Sequence, residues 1–226
     1  MNGSMITTTW SVEELKRWWK HNRRDFPWRK ETDPYRILLA ELFLHRTRAE
    51  TVAPIYRRFV QKFPDVVTLS RSNEDSLFGE LGALGLRWRT VSLLKAARLI
   101  TDEFHGKVPR EKAALLKLPG IGDYIASAIR VFAYNQVDPL IDTNTVRVIS
   151  RIHGFIATDS TRKGNEIREI YSSLMKGCNP RIFGFALIDL AALVCLPRRQ
   201  RCHECPISKH CITGAMNLAG SGCIYQ

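Results

Sequence analysis

The feature that most constrains this chain is a tight Gly-Pro hairpin, Leu118-Pro119-Gly120-Ile121-Gly122, set between two apolar helical stretches, Ala113 to Lys117 and Ile125 to Ala133. Glycines at 120 and 122 leave backbone N–H groups bare at a helix N-terminus, which makes a seat for a phosphate. The hairpin delivers Tyr124, and Asp142 follows it. A phosphate seat next to a phenol and a carboxylate points to chemistry on a nucleic acid. The residue at position 124 then decides which chemistry.

The rest of the chain reads as helix. Ser11 with Glu13 and Glu14 opens a first helix by capping logic, continuing through Leu15, Trp18 and Trp19 until the basic turn Asn22 to Lys30. Asp33-Pro34 starts a second helix, Tyr35 to about Arg46, with proline in the first turn where it is tolerated. Further helices are expected at Ala49 to Lys62, Glu74 to Leu84, Arg89 to Phe104 and Lys112 to Lys117, then at Tyr124 to Tyr134, Thr143 to His153, Lys163 to Leu174 and Pro180 to Cys195. Only Val137 to Ile141 has strand character, and it is too short and isolated to build a sheet. Short helices joined by short loops predict a compact all-α protein.

With 226 residues the chain can form one large domain or two small lobes. Thirty-four Lys and Arg against twenty-two Asp and Glu leave a net charge of +12, which favours an anionic partner such as nucleic acid, although a solvated basic surface would have the same composition. No apolar run reaches the length of a membrane span, and the N-terminus lacks the charged start and apolar centre of a signal peptide. Met1 to Ser4, ahead of a second Met, has the look of a cloning remnant. The chain is therefore expected inside the cell, in the cytoplasm or nucleoid.

Four of the six cysteines crowd near the C-terminus as Cys195, Cys202, Cys205 and Cys211, spaced C-x6-C-x2-C-x5-C. In an intracellular chain such crowding argues for a metal centre over disulfides. Four thiolates suit zinc or an iron–sulfur cluster. A zinc ribbon usually shows two C-x2-C knuckles and only one is present, which favours iron–sulfur. Cys178 and Cys223 lie outside the pattern and read as ordinary residues.

Three further features bear on chemistry. Glu41 is the only charged residue in Ile37-Leu38-Leu39-Ala40-Glu41-Leu42-Phe43-Leu44, so it is buried or lines a cleft; it serves either as a bonded structural carboxylate or as a functional one. Asp142 precedes a helix and reads first as an N-cap, a role compatible with a second one, because a carboxylate at a helix N-terminus tends to stay ionised. Arg198, Arg199 and Arg201 fall inside the first cysteine loop, where they would tie the loop into shape and present a phosphate clamp; the alternative is a solvated loop.

Together the hairpin Leu118 to Gly122 with Tyr124, the trailing Asp142 and the cysteine spacing resemble the helix-hairpin-helix DNA glycosylases of the endonuclease III and MutY superfamily. Phe26-Pro27-Trp28-Arg29, Asp33-Pro34-Tyr35 and Leu84-Gly85-Leu86 fit the same pattern, and the resemblance covers about residues 10 to 215. It implies two helical lobes: a six-helix barrel over 32–137 that holds the hairpin, and a second domain pairing 10–31 with 138–226 around a four-iron, four-sulfur (4Fe-4S) cluster on the four cysteines. It also implies that Tyr124 and Asp142 face each other across a cleft and that the target base is flipped out of the duplex. The implied partner is double-stranded DNA carrying a mismatch or lesion, bound by a monomer.

Members similar to endonuclease III carry a lysine where this chain has Tyr124, and that lysine forms a Schiff base that leads to strand breakage. A phenol cannot form that imine. The resemblance therefore implies a monofunctional glycosylase in which water attacks the sugar and Asp142 stabilises the oxocarbenium-like transition state. Tyrosine at this position is shared by thymine/uracil mismatch glycosylases and by some adenine glycosylases, and Glu41 is compatible with both. Leu44-His45-Arg46-Thr47 in place of a glutamine-rich turn, the run Ile141 to Arg151, and a chain that stops about fifteen residues after Cys211 favour the pyrimidine enzymes. His45 and Arg46, and Leu86 to Trp88, are candidates to fill the hole left by the flipped base, with His45 and Arg87 also able to donate to the widowed guanine. Two readings of other classes stay open: a non-catalytic DNA-binding protein of the same fold, and a zinc-dependent nucleic-acid module.

Overall fold

The computed structural model describes residues 12–85 and 87–219. Ser11, Leu86 and Cys223 lie outside the described residues, as does the Met1 to Ser4 segment. Among those described the regular structure is entirely helical, with no strand; Val137 to Ile141 is irregular. The chain divides into two compact units, one formed by the segment through Arg24 together with Pro139 onward, the other by Asp25–Asp138.

In the first unit α1 (Val12–Asn22) carries Glu13 and Glu14 in its first turn and Lys20 and His21 in its last, each matched to the dipole at its end. Its Leu15 is fully buried, and α1 lies against a later helix of the same unit. Asp189 of that later helix is also fully buried. It accepts from Trp19 Nε1 at 2.9 Å and from Arg24 Nε at 2.8 Å, so the start and end of the chain are tied by a satisfied buried charge.

The second unit contains α2 (Pro34–Leu44), α3 (Ala49–Lys62), α4 (Val66–Ser70), α5 (Glu74–Leu81), α6 (Arg87–Glu103), α7 (Lys112–Leu115) and α8 (Asp123–Phe132). Asp33 caps α2 by accepting from the Tyr35 and Arg36 N–H groups, with Pro34 in the first turn. Asp65 and Asn73 cap α4 and α5 in the same way. Residues 25–31 belong to this unit: Trp28 packs edge-on against Tyr56 at 5.5 Å. Phe43, Phe59 and Phe63 pack in series through its core, Phe43 edge-on to Phe59 at 5.1 Å and Phe59 tilted against Phe63 at 4.8 Å. Each such buried ring contributes roughly 1.5–3 kcal/mol.

The first unit resumes with α9 (Thr143–His153), α10 (Asp159–Lys163), α11 (Asn165–Met175), α12 (Pro180–Leu193) and α13 (Ile212–Leu218). The partner of α1 is α12, buried on nearly all faces. Gly154 ends α9 in the left-handed region at φ +73, and a Cβ there would stand 2.9 Å from Ile212 on α13. Glycine at this point lets α13 close onto α9.

Three short helices escape the sequence pattern. α4 and α10 have only five residues each, too few to show a period, and α13 follows the cysteine loop without a recognisable start. The helix expected over Glu74 to Leu84 stops at Leu81 and tightens into a 3₁₀ turn, Gly82–Leu84, while α7 ends at Leu115 and the last residues before the hairpin form a turn.

Candidate functional site

The hairpin joins α7 to α8. Leu118 is 2 % exposed and plugs the turn into the core, and Ile121 N donates to Leu118 O at 3.1 Å, closing it. Gly120 sits at φ +81, where a Cβ would come within 2.9 Å of Ser92 Cβ. The turn thus needs glycine for two reasons, backbone angle and space. Gly122 differs: its φ is −89, it is exposed, and a Cβ there would meet nothing within 4 Å. It is the N-cap of α8 and supplies no capping oxygen. Tyr124 follows two residues on, half-buried in the first turn of α8.

A buried ionic network braces the two helices of the hairpin. Asp138, 5 % exposed, accepts from Lys112 Nζ at 2.8 Å and Ser127 Oγ at 2.7 Å on one oxygen, and from Arg130 Nε at 2.7 Å on the other. Lys112 also pairs with Asp123 at 3.0 Å. One lysine on α7 therefore holds α8 at two points.

Glu41 is buried in α2, at 8 % exposure, next to Leu42, whose Cδ2 lies 3.7 Å from the position of a Cβ on Gly120. The structure thus brings the Glu41 helix against the hairpin turn. After α2 the chain reverses through His45, Arg46 and Thr47, with Arg46 at φ +58 and both His45 and Arg46 exposed. The His45 ring meets Trp88 edge-on at 5.8 Å. Burial, with Arg89 and Arg46 nearby, holds the His45 imidazole below its usual pKa. Arg87 is exposed and lies over the Phe78 ring at 5.3 Å.

Asp142 is the N-cap of α9, as the sequence predicts, and its carboxylate is fully oriented. Oδ1 accepts from Asn144 N at 3.0 Å and Thr145 N at 2.7 Å, and Oδ2 accepts from the Asn144 side-chain amide at 2.9 Å. Thr145 Oγ1 returns a bond from the Asp142 N–H at 3.1 Å, completing a capping box. The order continues outward. Arg147 Nη1 donates to Asn144 Oδ1 at 3.1 Å, its Nε to Cys195 O at 3.0 Å and its Nη2 to Ala191 O at 2.9 Å. A chain of direct hydrogen bonds therefore runs from the Asp142 carboxylate to the backbone of the first cysteine.

Cys195, Cys202, Cys205 and Cys211 all line one pocket, together with Arg151 and Gly214. Burial and the neighbouring thiols push Cys205 up to about 12 and Cys211 up to about 11. Four thiolates in so small a space need a cation to share, which fits a thiolate-bound metal or cluster. Three sulfurs meet protein donors of the kind that surround cluster sulfurs: Arg151 Nη1 at 3.4 Å from Cys195 Sγ, Asn217 Nδ2 at 3.2 Å from Cys202 Sγ, and Gly214 N at 3.3 Å from Cys211 Sγ. The sulfurs are not drawn into a coordination set, however; among the described residues no three His, Cys, Asp or Glu side chains are arranged to hold a metal ion. Cys211 Sγ instead donates to Arg151 O at 3.2 Å.

Arg198, Arg199 and Arg201 are exposed, and Arg199 adopts φ +58. Their expected task of tying the first cysteine loop falls to a different arginine. Arg151, 5 % exposed, donates from Nη1 to Leu196 O at 2.6 Å and from Nη2 to Pro197 O at 2.9 Å. Sequence reasoning missed both Arg147 and Arg151. The available signal was their spacing: two arginines four apart in Thr143-Asn144-Thr145-Val146-Arg147-Val148-Ile149-Ser150-Arg151 share one helix face with apolar neighbours.

Comparison with known proteins converges on one family. The description HhH-GPD superfamily base excision DNA repair protein matches residues 39–178. The thymine/uracil-DNA glycosylase of Methanothermobacter thermautotrophicus is 33% identical over 201 residues, 88% of this chain and 91% of that one. The adenine DNA glycosylase of Mycolicibacterium smegmatis is 35% identical over 203 residues, 89% of this chain and 68% of that one. Among solved structures, a thermostable thymine-DNA glycosylase superposes with a TM-score of 0.84 at 33% identity, covering 90% of this chain and 94% of the other. A DNA-trapped endonuclease III reaches 0.79 at 20% identity, a likeness of fold alone.

Proposed function

The chain belongs to the HhH-GPD superfamily of base excision DNA repair proteins, a family of DNA glycosylases, and we propose that it is a monofunctional DNA glycosylase that removes thymine or uracil opposite guanine. The observation that carries this reading is the likeness, over nearly the full length of both chains, to a thermostable thymine-DNA glycosylase.

In this reading the hairpin at Leu118, Gly120 and Gly122 anchors one DNA strand through backbone N–H groups at the start of α8. The open space around Gly122 supports a close approach of phosphate to backbone. Exposed Arg198, Arg199 and Arg201 add charge-assisted phosphate contacts, and Arg46, Arg87 and His45 face the duplex near the extruded base. The partner is double-stranded DNA with a mismatch, met by a monomer in the nucleoid.

Chemistry then needs few groups. The flipped pyrimidine departs with the electrons of its glycosidic bond, leaving positive charge on the sugar. Asp142, anchored on three hydrogen bonds, keeps a free lone pair on Oδ2 to face that charge or to orient the attacking water. Water forms the new bond to C1′ and loses its proton to Asp142, which passes it to solvent, while the base, having left as an anion, takes up one proton from Glu41 or from solvent. Glu41 donates a hydrogen bond or proton to the departing base. Tyr124 positions the base and provides no amine, so no imine forms and the strand stays whole.

Cys195, Cys202, Cys205 and Cys211 would hold a 4Fe-4S cluster in their common pocket. When bound, such a cluster cross-links the C-terminal loop and offers one-electron chemistry. Arg151 and Arg147 set the shape of the loop around it.

A second reading, excision of adenine opposite 8-oxoguanine or guanine, draws on the 35% identity to the mycobacterial adenine glycosylase and on Glu41, whose acid form could protonate a purine ring. Product analysis tests the primary reading. A G·T duplex should stay unbroken until treated with alkali, and borohydride should trap no covalent adduct. A strand broken without alkali, or an adduct formed in good yield, would refute the monofunctional assignment.

A further inference from the structure

Arg89, in the first turn of α6, is 1 % exposed and surrounded by neutral acceptors. Nη1 donates to Phe43 O at 3.1 Å and reaches Thr47 Oγ1 at 3.4 Å, while Nη2 donates to His45 O. Among the described residues no carboxylate pairs with it. Burying a guanidinium without a counter-charge is costly, and an apolar side chain would fill the same volume without that cost. Its acceptors show what is obtained in exchange. Phe43 is in the last turn of α2, where carbonyls lack helical partners and a cation is favoured by the helix dipole. His45 and Thr47 belong to the turn that follows.

That turn is not relaxed, because Arg46 adopts φ +58. Thr47 N returns to Leu44 O at 3.1 Å to close it. It presents His45 and Arg46 outward, with the His45 ring leaning on Trp88, itself 44% exposed. Consecutive residues of α6 therefore supply an exposed ring that supports His45 and a buried cation that grips the His45 carbonyl. Flat rings of this kind stack on nucleobases, and a turn ordered in advance avoids the entropy of ordering on contact.

We propose that Arg89 is a positioning residue: it clamps the His45–Thr47 turn so that His45 and Trp88 form a rigid wedge that enters the base stack of duplex DNA. This rests on the DNA-glycosylase reading for its substrate, and is independent of which base is removed.

The test uses the full chain with Arg89→Met, which fills the volume without charge, and Arg89→Lys, which keeps charge but reaches fewer acceptors. One readout is the fluorescence of 2-aminopurine placed beside a G·U mismatch at saturating protein. The wild type should raise it, and both variants should raise it less than about half as much. The other is single-turnover release of uracil from the G·U duplex and from the same strand unpaired, where no stack has to open. Release from the duplex should fall about tenfold or more, with the unpaired strand changing by less than about twofold. Equal losses on the two substrates, unchanged fluorescence in the variants, or no fluorescence rise with the wild type would each overturn the wedge. A wild type that raises fluorescence yet releases no uracil from either substrate would sink the assignment of uracil as a substrate and leave the wedge standing. Arg89→Lys carries the test if the methionine variant does not fold.

Discussion

Asn144 donates its side-chain amide to Asp142 Oδ2 at 2.9 Å while its own Oδ1 accepts from Arg147 at 3.1 Å, so the acidic cap of α9 is held by a residue that is itself held. Capping and catalysis make different demands on Asp142. Asparagine satisfies the first and not the second. Asp142→Asn should keep the helical signal and change stability by less than about 1 kcal/mol, yet lower single-turnover base release by about 100-fold or more. Release at the wild-type rate from a folded variant would remove Asp142 from the mechanism.

The arginines of the cysteine region divide by burial. Arg151→Leu leaves the Leu196 and Pro197 carbonyls without their donor and should cost about 2–4 kcal/mol, lowering the melting temperature by roughly 5–15 °C. Arg198→Ala, at an exposed site, should change stability by less than about 0.5 kcal/mol. If Arg198 contacts phosphate, that variant should also reduce the slope of log affinity against log salt by about 1. Calorimetry and a salt titration separate the two effects.

The two hairpin glycines give an internal control. Gly120→Ala places a Cβ 2.9 Å from Ser92 in a left-handed backbone and should destabilise the protein by about 1–3 kcal/mol. Gly122→Ala meets open space at an ordinary φ and should leave the melting temperature within about 2 °C. Weaker DNA binding by Gly122→Ala would then report intrusion on the bound strand. Equal DNA binding by Gly122→Ala and wild type would argue against close backbone approach at this turn.

Acid should destabilise the fold through its histidines. Burial lowers the pKa of His153, and burial with neighbouring arginines lowers that of His45. Below an ordinary histidine pKa of about 6.5 the unfolded chain takes up these protons first, so the histidine contribution is present above that pH and is lost as pH falls. His153 is half-buried, with Nε2 lacking a hydrogen-bond partner among the described residues. His153→Gln should make the decline of melting temperature between pH 7 and pH 5 shallower. An unchanged decline would assign the acid sensitivity elsewhere.

Much of this was legible in the sequence because it is local. The Asp33-Pro34 start of α2, the glycine hairpin and the Asp142 cap each lie within a few residues of the backbone they shape, and each stands where its sequence places it. The cysteine spacing likewise marks four residues that share a pocket. What the sequence concealed is long-range. Arg89 reaches residues more than forty positions away, as Arg147 and Arg151 do, and nothing near them in the chain announces their acceptors. Arg198, Arg199 and Arg201 lie inside the cysteine loop and are exposed, while Arg151, which bonds that loop's carbonyls, comes from α9. Helices as short as α4 and α10 are built by caps and packing and carry no readable period.

The proposed reaction removes a pyrimidine from opposite guanine and leaves an intact abasic strand. Its most direct test is alkali-dependent incision of G·T, G·U, A·G and A·8-oxoguanine duplexes, measured side by side under single-turnover conditions. The G·T and G·U duplexes should be cut rapidly at the pyrimidine, with little cutting at either adenine. Efficient cutting confined to the adenine strands would contradict it.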